Sequence, residues 1–267
     1  MAQQQPTFDT QASSNNTVLR TDNIVKRFGQ FTAIDNVSLS VTEGEFRSVI
    51  GPNGAGKTTL FNLISGALSP TDGSIYLNGN NITDLPPERR VDRGLARSFQ
   101  ITNIFPGLSV RENVRLAAQS NYKEEYGLIE SLVRPVDKYD KINERTETVL
   151  KQIGLADAAD QLAETLAYGD KRRVEIGMVL ATNPEIVLFD EPTAGMSVEE
   201  TEETINLIQD VLSNQTLLLI EHDIDLVMEL SDRITVLDRG KILSEGSPDE
   251  IAQDSEVKEA YLGGVLE

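Results

Sequence analysis

The chain has 267 residues, 39% of them hydrophobic, which suffices for one large or two modest domains with a proper core. Its 43 acidic against 24 basic side chains give a net charge of −19, which argues against a general affinity for nucleic acid or anionic lipid. There is no Cys, hence no disulfide framework and no thiolate metal site, in keeping with the cytoplasm, and no apolar run approaches the roughly 20 residues that a membrane helix needs.

Residues 1–17 are polar, rich in Gln and Asn and uncharged apart from Asp9. They lack the basic and apolar regions of a signal peptide and read as a disordered arm. Segments 18–27, 31–34 and 37–41 are β-rich, with turns expected at Gly29-Gln30 and Asp35-Asn36. Residues 74–77 followed by Asn78-Gly79-Asn80 add a hairpin edge, so a small antiparallel sheet is expected beside the strand and loop at 46–59.

Residues 46–50 form an apolar strand leading into Gly51-Pro52-Asn53-Gly54-Ala55-Gly56-Lys57-Thr58-Thr59, which fits G-x-x-x-x-G-K-[ST]. Leu60, Leu63 and Ile64 follow at helical spacing. Glycines 51, 54 and 56 let the backbone turn several N–H groups inward at a helix N-terminus, a nest for β- and γ-phosphates. Lys57 supplies a point charge and Thr58 a hydroxyl for Mg²⁺, so ATP or GTP is the first ligand expected.

From about residue 95 to 165 the pattern becomes helical. Ser109-Val110-Arg111-Glu112 is a capping box, and 140–153 carries apolar or small residues at 142, 146, 149, 150 and 153. Gln100 alone reads equally as an exposed polar side chain. The loop 166–170 (Leu-Ala-Tyr-Gly-Asp) precedes a helix expected over about 171–182, and most such Gly-containing caps bind nothing. Strand 186–189 delivers Asp190 and Glu191 to its carboxyl end, where open α/β sheets bind ligands. There Asp190 would hold Mg²⁺ through water with Thr58, and Glu191 would deprotonate an attacking water. Glu199, Glu200, Glu202 and Glu203 read as a solvated helix face. His222, the one histidine, follows strand 216–220 and is as readily a surface residue as a γ-phosphate contact. A last helix is expected from about residue 248. Acidic surface with Lys scarcer than Arg resembles the proteins of salt-loving microbes.

In this order the residues resemble the ATP-binding cassette family over about residues 18–250. The phosphate loop looks like Walker A, Gln100 like the Q-loop, 166–170 like the signature loop, Asp190 and Glu191 like Walker B with its catalytic glutamate. Ala194-Gly195-Met196-Ser197 looks like the D-loop, His222 like the switch histidine, and Phe28 sits like the aromatic that stacks on adenine. The resemblance implies an α/β fold: a P-loop NTPase core with a mainly parallel sheet, a small antiparallel β-subdomain, and an α-helical subdomain inserted at about 95–170. The 1–17 arm precedes it and a tail, 251–267, comes after.

Narrower stretches are similar to ATP-binding subunits of branched-chain amino acid importers, with urea-type and lipopolysaccharide-type cassettes close by. These are 94–100 with Phe105 and 108–113, 166–169 with 172–176, Ile220-Glu221-His222-Asp223, and Ala260-Tyr261-Leu262-Gly263. The resemblance implies an ATPase using ATP and Mg²⁺, with Glu191, His222 and Gln100 at the reaction and Thr58, Gln100 and Asp190 at the metal. It further implies a second cassette whose signature loop completes the site, membrane permease subunits, indirectly an extracytoplasmic solute-binding protein, and no nucleic acid, at the cytoplasmic face of the membrane. Residues 101–116 are the expected permease contact, with apolar Ile104, Phe105 and Leu108 reading equally as buried within the insert. Two departures stand in the signature: Ala167-Tyr168 replace Ser-Gly, and Asp170 replaces Gln, placing a carboxylate near the partner's nucleotide, which Lys171, Arg172 and Arg173 would offset. A soluble cassette ATPase of translation or repair is the rival reading; a single cassette without Cys disfavours it.

Overall fold

The computed structural model describes residues 16–98, 104–122, 139–193, 196–213 and 215–262. The arm before residue 16, Gln100, Ala194-Gly195 and the end from Gly263 lie outside them.

Two sheets carry the fold. The antiparallel one is built on a 12-residue strand, β1 (Thr17–Phe28), which pairs on one side with β2 (Phe31–Val37) and β3 (Ser40–Thr42) and on the other with β5 (Asp72–Leu77), itself paired with β6 (Asn80–Asn81). The second sheet has six strands in the order β11 (Lys241–Gly246), β10 (Arg233–Asp238), β4 (Phe46–Ile50), β9 (Thr216–Ile220), β8 (Ile186–Asp190), β7 (Leu95–Ser98). Every pairing from β10 to β7 is parallel; only β11 runs against its neighbour.

The apolar runs of β8 and β9 are covered on both faces, as parallel strands require. Ile186, Leu188, Leu218 and Ile220 face Leu60, Leu63 and Ile64 of α1 (Lys57–Ser65) and the antiparallel sheet. The alternate residues Val187, Phe189, Leu217 and Leu219 face a helical layer. That layer comprises α3 (Val110–Ala118), α4 (Asp140–Gln152), α5 (Tyr168–Ala181) and α6 (Val198–Leu212), α2 (Pro87–Val91) lying instead before β7. A third core sits where α7 (Ile224–Leu230), α8 (Pro248–Gln253) and α9 (Ser255–Leu262) cover β10 and Ile50.

Several boundaries differ from those read in the sequence. Residues 95–98 are not helical but the edge strand β7, in register with β8; four residues paired on one side carry too little apolar signal to announce a strand. Asp35 and Asn36 lie within β2, with Asn36 in the left-handed region at φ 57°, and the chain turns after Val37 instead. Thr17 belongs to β1, so the strand starts inside the segment read as an arm. The last helix is two: Asp254 accepts from the N–H groups of Glu256 and Val257 and so caps a new start. The capping boxes at Ser109 and, unforeseen, at Ser197 and Ser247 are formed in full.

Candidate nucleotide site

The phosphate loop is shaped by what surrounds it. Gly51 has φ 152°, and a Cβ there would lie 2.1 Å from the carbonyl oxygen of Leu237 at the end of β10. Gly56, the N-cap of α1, has φ 106°, and its Cβ would come within 2.7 Å of Ala33 O on β2. The loop is thus held between the two sheets at a spacing only glycine allows. Lys57 is buried and curls back, its Nζ donating to Gly51 O at 2.6 Å and Pro52 O at 3.2 Å. Burial pushes the Lys57 ammonium below the usual lysine range, opposed by the nearby charges of Glu191 and Asp190. Thr58, next along α1, is exposed.

The far end of α1 is anchored by Arg90, a residue to which the sequence alone assigns no role. Its fully buried guanidinium donates to Leu63 O at 2.7 Å, Ile64 O at 2.6 Å, Thr83 O at 2.8 Å and Leu85 O at 2.9 Å. Two of these acceptors are carbonyls of the last helical turn, where a cation also suits the helix dipole.

At the carboxyl end of β8, Asp190 is 5% exposed and Arg97 Nη2 donates to its Oδ2 at 2.8 Å. Glu191 sits at φ 50°, a conformation costing a non-glycine residue about 1 kcal/mol, fixed by its N–H donating to Ile220 O at 2.9 Å. Its Oε1 is in direct contact with Nε2 of His222. Glu221, 4% exposed, binds the neighbourhood together. Its Oε1 accepts from Thr193 N–H at 3.1 Å and Thr193 Oγ1 at 2.6 Å, and its Oε2 from His222 N–H at 3.1 Å. Glu221 lies in the Ile220–Asp223 stretch that carries the resemblance, but nothing in that stretch marks the clamping task of its carboxylate.

Phe28 is 47% exposed and pairs across the hairpin with Phe31, while Lys26 Nζ stands 5.2 Å from its ring centroid. The hairpin reaches the phosphate loop through Gly240, whose O accepts from Asp35 N–H and whose N–H donates to Ala55 O.

The signature stretch differs from a loop. Ala167 is an extended N-cap and Tyr168, Gly169 and Asp170 form the first turn of α5, three residues before the expected start. Tyr168 is half-exposed, and Asp170 lies 3.9 Å from Arg173. Arg172 does not offset Asp170; it is buried, donating to Glu175 Oε2 at 2.6 Å and to Pro192 O at 3.1 Å, and so ties α5 to the turn after Glu191. Among the described residues no cluster of three or more His, Cys, Asp or Glu could hold a metal unaided, and no helix is long and apolar enough to cross a membrane.

A phosphate loop between β4 and α1, with acidic and histidine side chains on the neighbouring strand ends, defines a P-loop nucleoside triphosphatase. Comparison with known proteins narrows the class. A family model described as ABC transporter matches residues 34–194, and one for the branched-chain amino acid ATP-binding cassette transporter matches residues 241–266. The high-affinity branched-chain amino acid transport ATP-binding protein LivG of Salmonella typhimurium is 41% identical over 92% of this chain and 98% of its own length. BraF of Pseudomonas aeruginosa, described in the same words, is 38% identical over 92% and 98%. Among solved structures, an ATP-binding cassette of an ABC transporter in its ADP conformation superposes with a TM-score of 0.77 at 33% identity, covering 92% of this chain and 99% of the other. The chain belongs to the ATP-binding cassette transporter family and is one of its nucleotide-binding ATPases.

Proposed function

We propose that this chain is the ATP-hydrolysing subunit of an importer for branched-chain or other hydrophobic amino acids, working at the cytoplasmic face of the membrane on a permease. The observation that carries the hydrolytic reading is the convergence of Lys57, Asp190, Glu191 and His222 at one sheet edge. The solute class rests on the relatives' names and on the match at 241–266, which favours it over the urea and lipopolysaccharide alternatives and over a soluble cassette.

Residues 51–59 would cradle the phosphates of ATP: backbone N–H groups of the turn formed by Gly51, Pro52, Asn53, Gly54, Ala55 and Gly56 would serve the anion, although the Ala55 N–H is already taken by Pro52 O at 3.1 Å, and Lys57, Thr58 and Thr59 open the helix behind it. Lys57 exchanges two loop carbonyls for the phosphates when ATP enters. Phe28 stacks on adenine, with one side of its ring occupied by Lys26. Mg²⁺ suits the donors present, a Thr58 hydroxyl and one carboxylate, Asp190, whose buried Oδ1 has no hydrogen-bond partner; Gln100 is the third ligand proposed. When bound, the ion neutralises charge on the phosphates. Glu191 takes the proton of the attacking water, and His222, already against its carboxylate, orients it and reaches the γ-phosphate. Ala167, Tyr168, Gly169 and Asp170 offer a helix N-terminus to the nucleotide of a second cassette, identical or paralogous.

Closure of two cassettes on ATP and release after hydrolysis would drive the permease through the helical layer, where Phe105 is exposed and Asn113 pins its loop by accepting Phe105 N–H at 2.7 Å. An extracytoplasmic binding protein would deliver the solute. Co-expression with candidate permeases and reconstitution in proteoliposomes tests the proposal: leucine-stimulated ATP hydrolysis supports it, and hydrolysis stimulated only by another solute overturns the solute class.

A further inference from the structure

Arg97 has no part in the roles assigned so far, yet it is the side chain most deeply engaged with Asp190. It stands on edge strand β7 opposite Leu188. Its Nη1 donates to Asn62 Oδ1 at 2.7 Å and to Ser65 Oγ at 3.0 Å, and its Nη2 to Asp190 Oδ2 at 2.8 Å. One planar guanidinium therefore joins the phosphate-loop helix, the edge strand and the end of β8. Asn62 and Ser65 grip one arm of the fork, so the other is aimed before it meets the carboxylate.

The two oxygens of Asp190 are consequently unlike. Oδ2 is committed to Arg97, whereas Oδ1 is buried with no hydrogen-bond partner among the described residues. With the guanidinium on one oxygen, the other is kept free of protein donors.

We propose that Arg97 is a positioning residue of the metal site: it holds Asp190 rotated so that Oδ1 remains open to hydrated Mg²⁺. This rests on the assignment of Asp190 to Mg²⁺. Arg97 itself is assigned no contact with nucleotide or metal. Lysine is a poor substitute, because a point charge on a flexible stem cannot serve Asn62, Ser65 and Asp190 in one fixed plane.

The test is binding, not turnover. A fluorescent ADP analogue is titrated into wild type, Arg97→Lys and Asp190→Asn, each with excess MgCl₂ and with EDTA, thermal unfolding reporting that each variant is folded. Arg97→Lys keeps a cation beside Asp190 and so protects the fold. Its affinity in EDTA should stay within about twofold of wild type, while the gain on adding Mg²⁺ falls about tenfold, the scale on which residues behind metal ligands act. An undiminished gain in Arg97→Lys, or equal losses with and without Mg²⁺, would overturn the proposal, the latter leaving Arg97 a mere support for α1. A wild type without any Mg²⁺ gain overturns the Asp190 assignment itself, and with it this inference. Should Arg97→Lys not fold, Asn62→Ala, which loosens the fork but leaves Asp190 paired, is read in the same way and should lose a measurable part of the gain, an undiminished gain again overturning the proposal.

Discussion

Glu191 Oε1 and His222 Nε2 touch although 30 residues of sequence lie between them. Parallel register brings this about: Asp190 is paired with Ile220, so Glu191 and the Glu221-His222 step leave the sheet side by side. The left-handed φ of Glu191 turns its carboxylate across the gap, and Glu221 clamps the following Thr193 to the backbone of His222.

That arrangement makes Glu191 the group whose loss should separate binding from chemistry. Glu191→Gln keeps the shape and the contact with His222 but removes the base. It should bind ATP like wild type, hydrolyse it about 10²–10⁴-fold more slowly, and accumulate an ATP-bound dimer on size exclusion. Unchanged turnover would remove Glu191 from the base role.

Lys57 gives a case in which function opposes stability. Its burial depresses its pKa, so the folded state binds its proton less well than the unfolded chain does. Between the lowered folded value and 10.5 the unfolded state carries more protons, and stability from this residue rises with pH through that window. Lys57→Met should abolish nucleotide binding yet raise the stability of the nucleotide-free protein by about 1 kcal/mol at neutral pH. Thermal unfolding of both proteins toward pH 10 should show wild type closing the difference.

The strand ends and the phosphate loop were legible in the sequence because chemistry and backbone demands coincide there: glycines at close approaches, apolar runs covered on both faces, and charged residues just beyond them. What escaped was whatever depends on a distant partner. Arg90 and Arg97 look like surface arginines until α1 supplies their acceptors, Glu221 until Thr193 arrives, and β7 until β8 pairs with it. The first turn of α5 escaped for a different reason, since Tyr168-Gly169-Asp170 has the composition of a loop and is closed into a helical turn by Lys171 N–H donating to Ala167 O at 3.0 Å, with no side-chain cap.

Asp170 occupies the first turn of α5, where a carboxylate favours the helix dipole by about 0.3–1 kcal/mol but repels an incoming phosphate. Asp170→Gln should lower the melting temperature slightly and strengthen ATP-driven dimerisation of the Glu191→Gln background about three- to tenfold. Sedimentation at fixed ATP reads both monomer and dimer; weaker association in the double variant would show that Asp170 attracts its partner instead.

The net charge of −19 makes stability sensitive to screening. Because the Debye length contracts from about 10 Å at 0.1 M salt to about 3 Å at 1 M, self-repulsion among Glu199, Glu202, Glu203 and their like should fade across that range. The melting temperature is expected to rise with KCl, and ATPase activity to persist in molar salt; loss of either would argue against a salt-adapted source.

Arg90 should be the most costly arginine to remove. Its guanidinium, fully buried, replaces water for four carbonyls and holds the C-terminal turn of α1 to the segment before β7. Burial pushes its pKa down to about 10, countered by Asp84, so it remains charged at neutral pH. Arg90→Met preserves volume but leaves those oxygens dry, at about 1–3 kcal/mol for each that finds no water, and a total near ~3 kcal/mol is expected. Arg90→Lys should recover little, since one ammonium cannot span acceptors on both sides of the helix end. Urea unfolding measures the loss directly. Because α1 begins at the phosphate loop, the folded fraction of Arg90→Met should also bind nucleotide more weakly, and saturating ATP should restore part of its stability by mass action. A variant as stable as wild type would mean that α1 keeps its end without the cap.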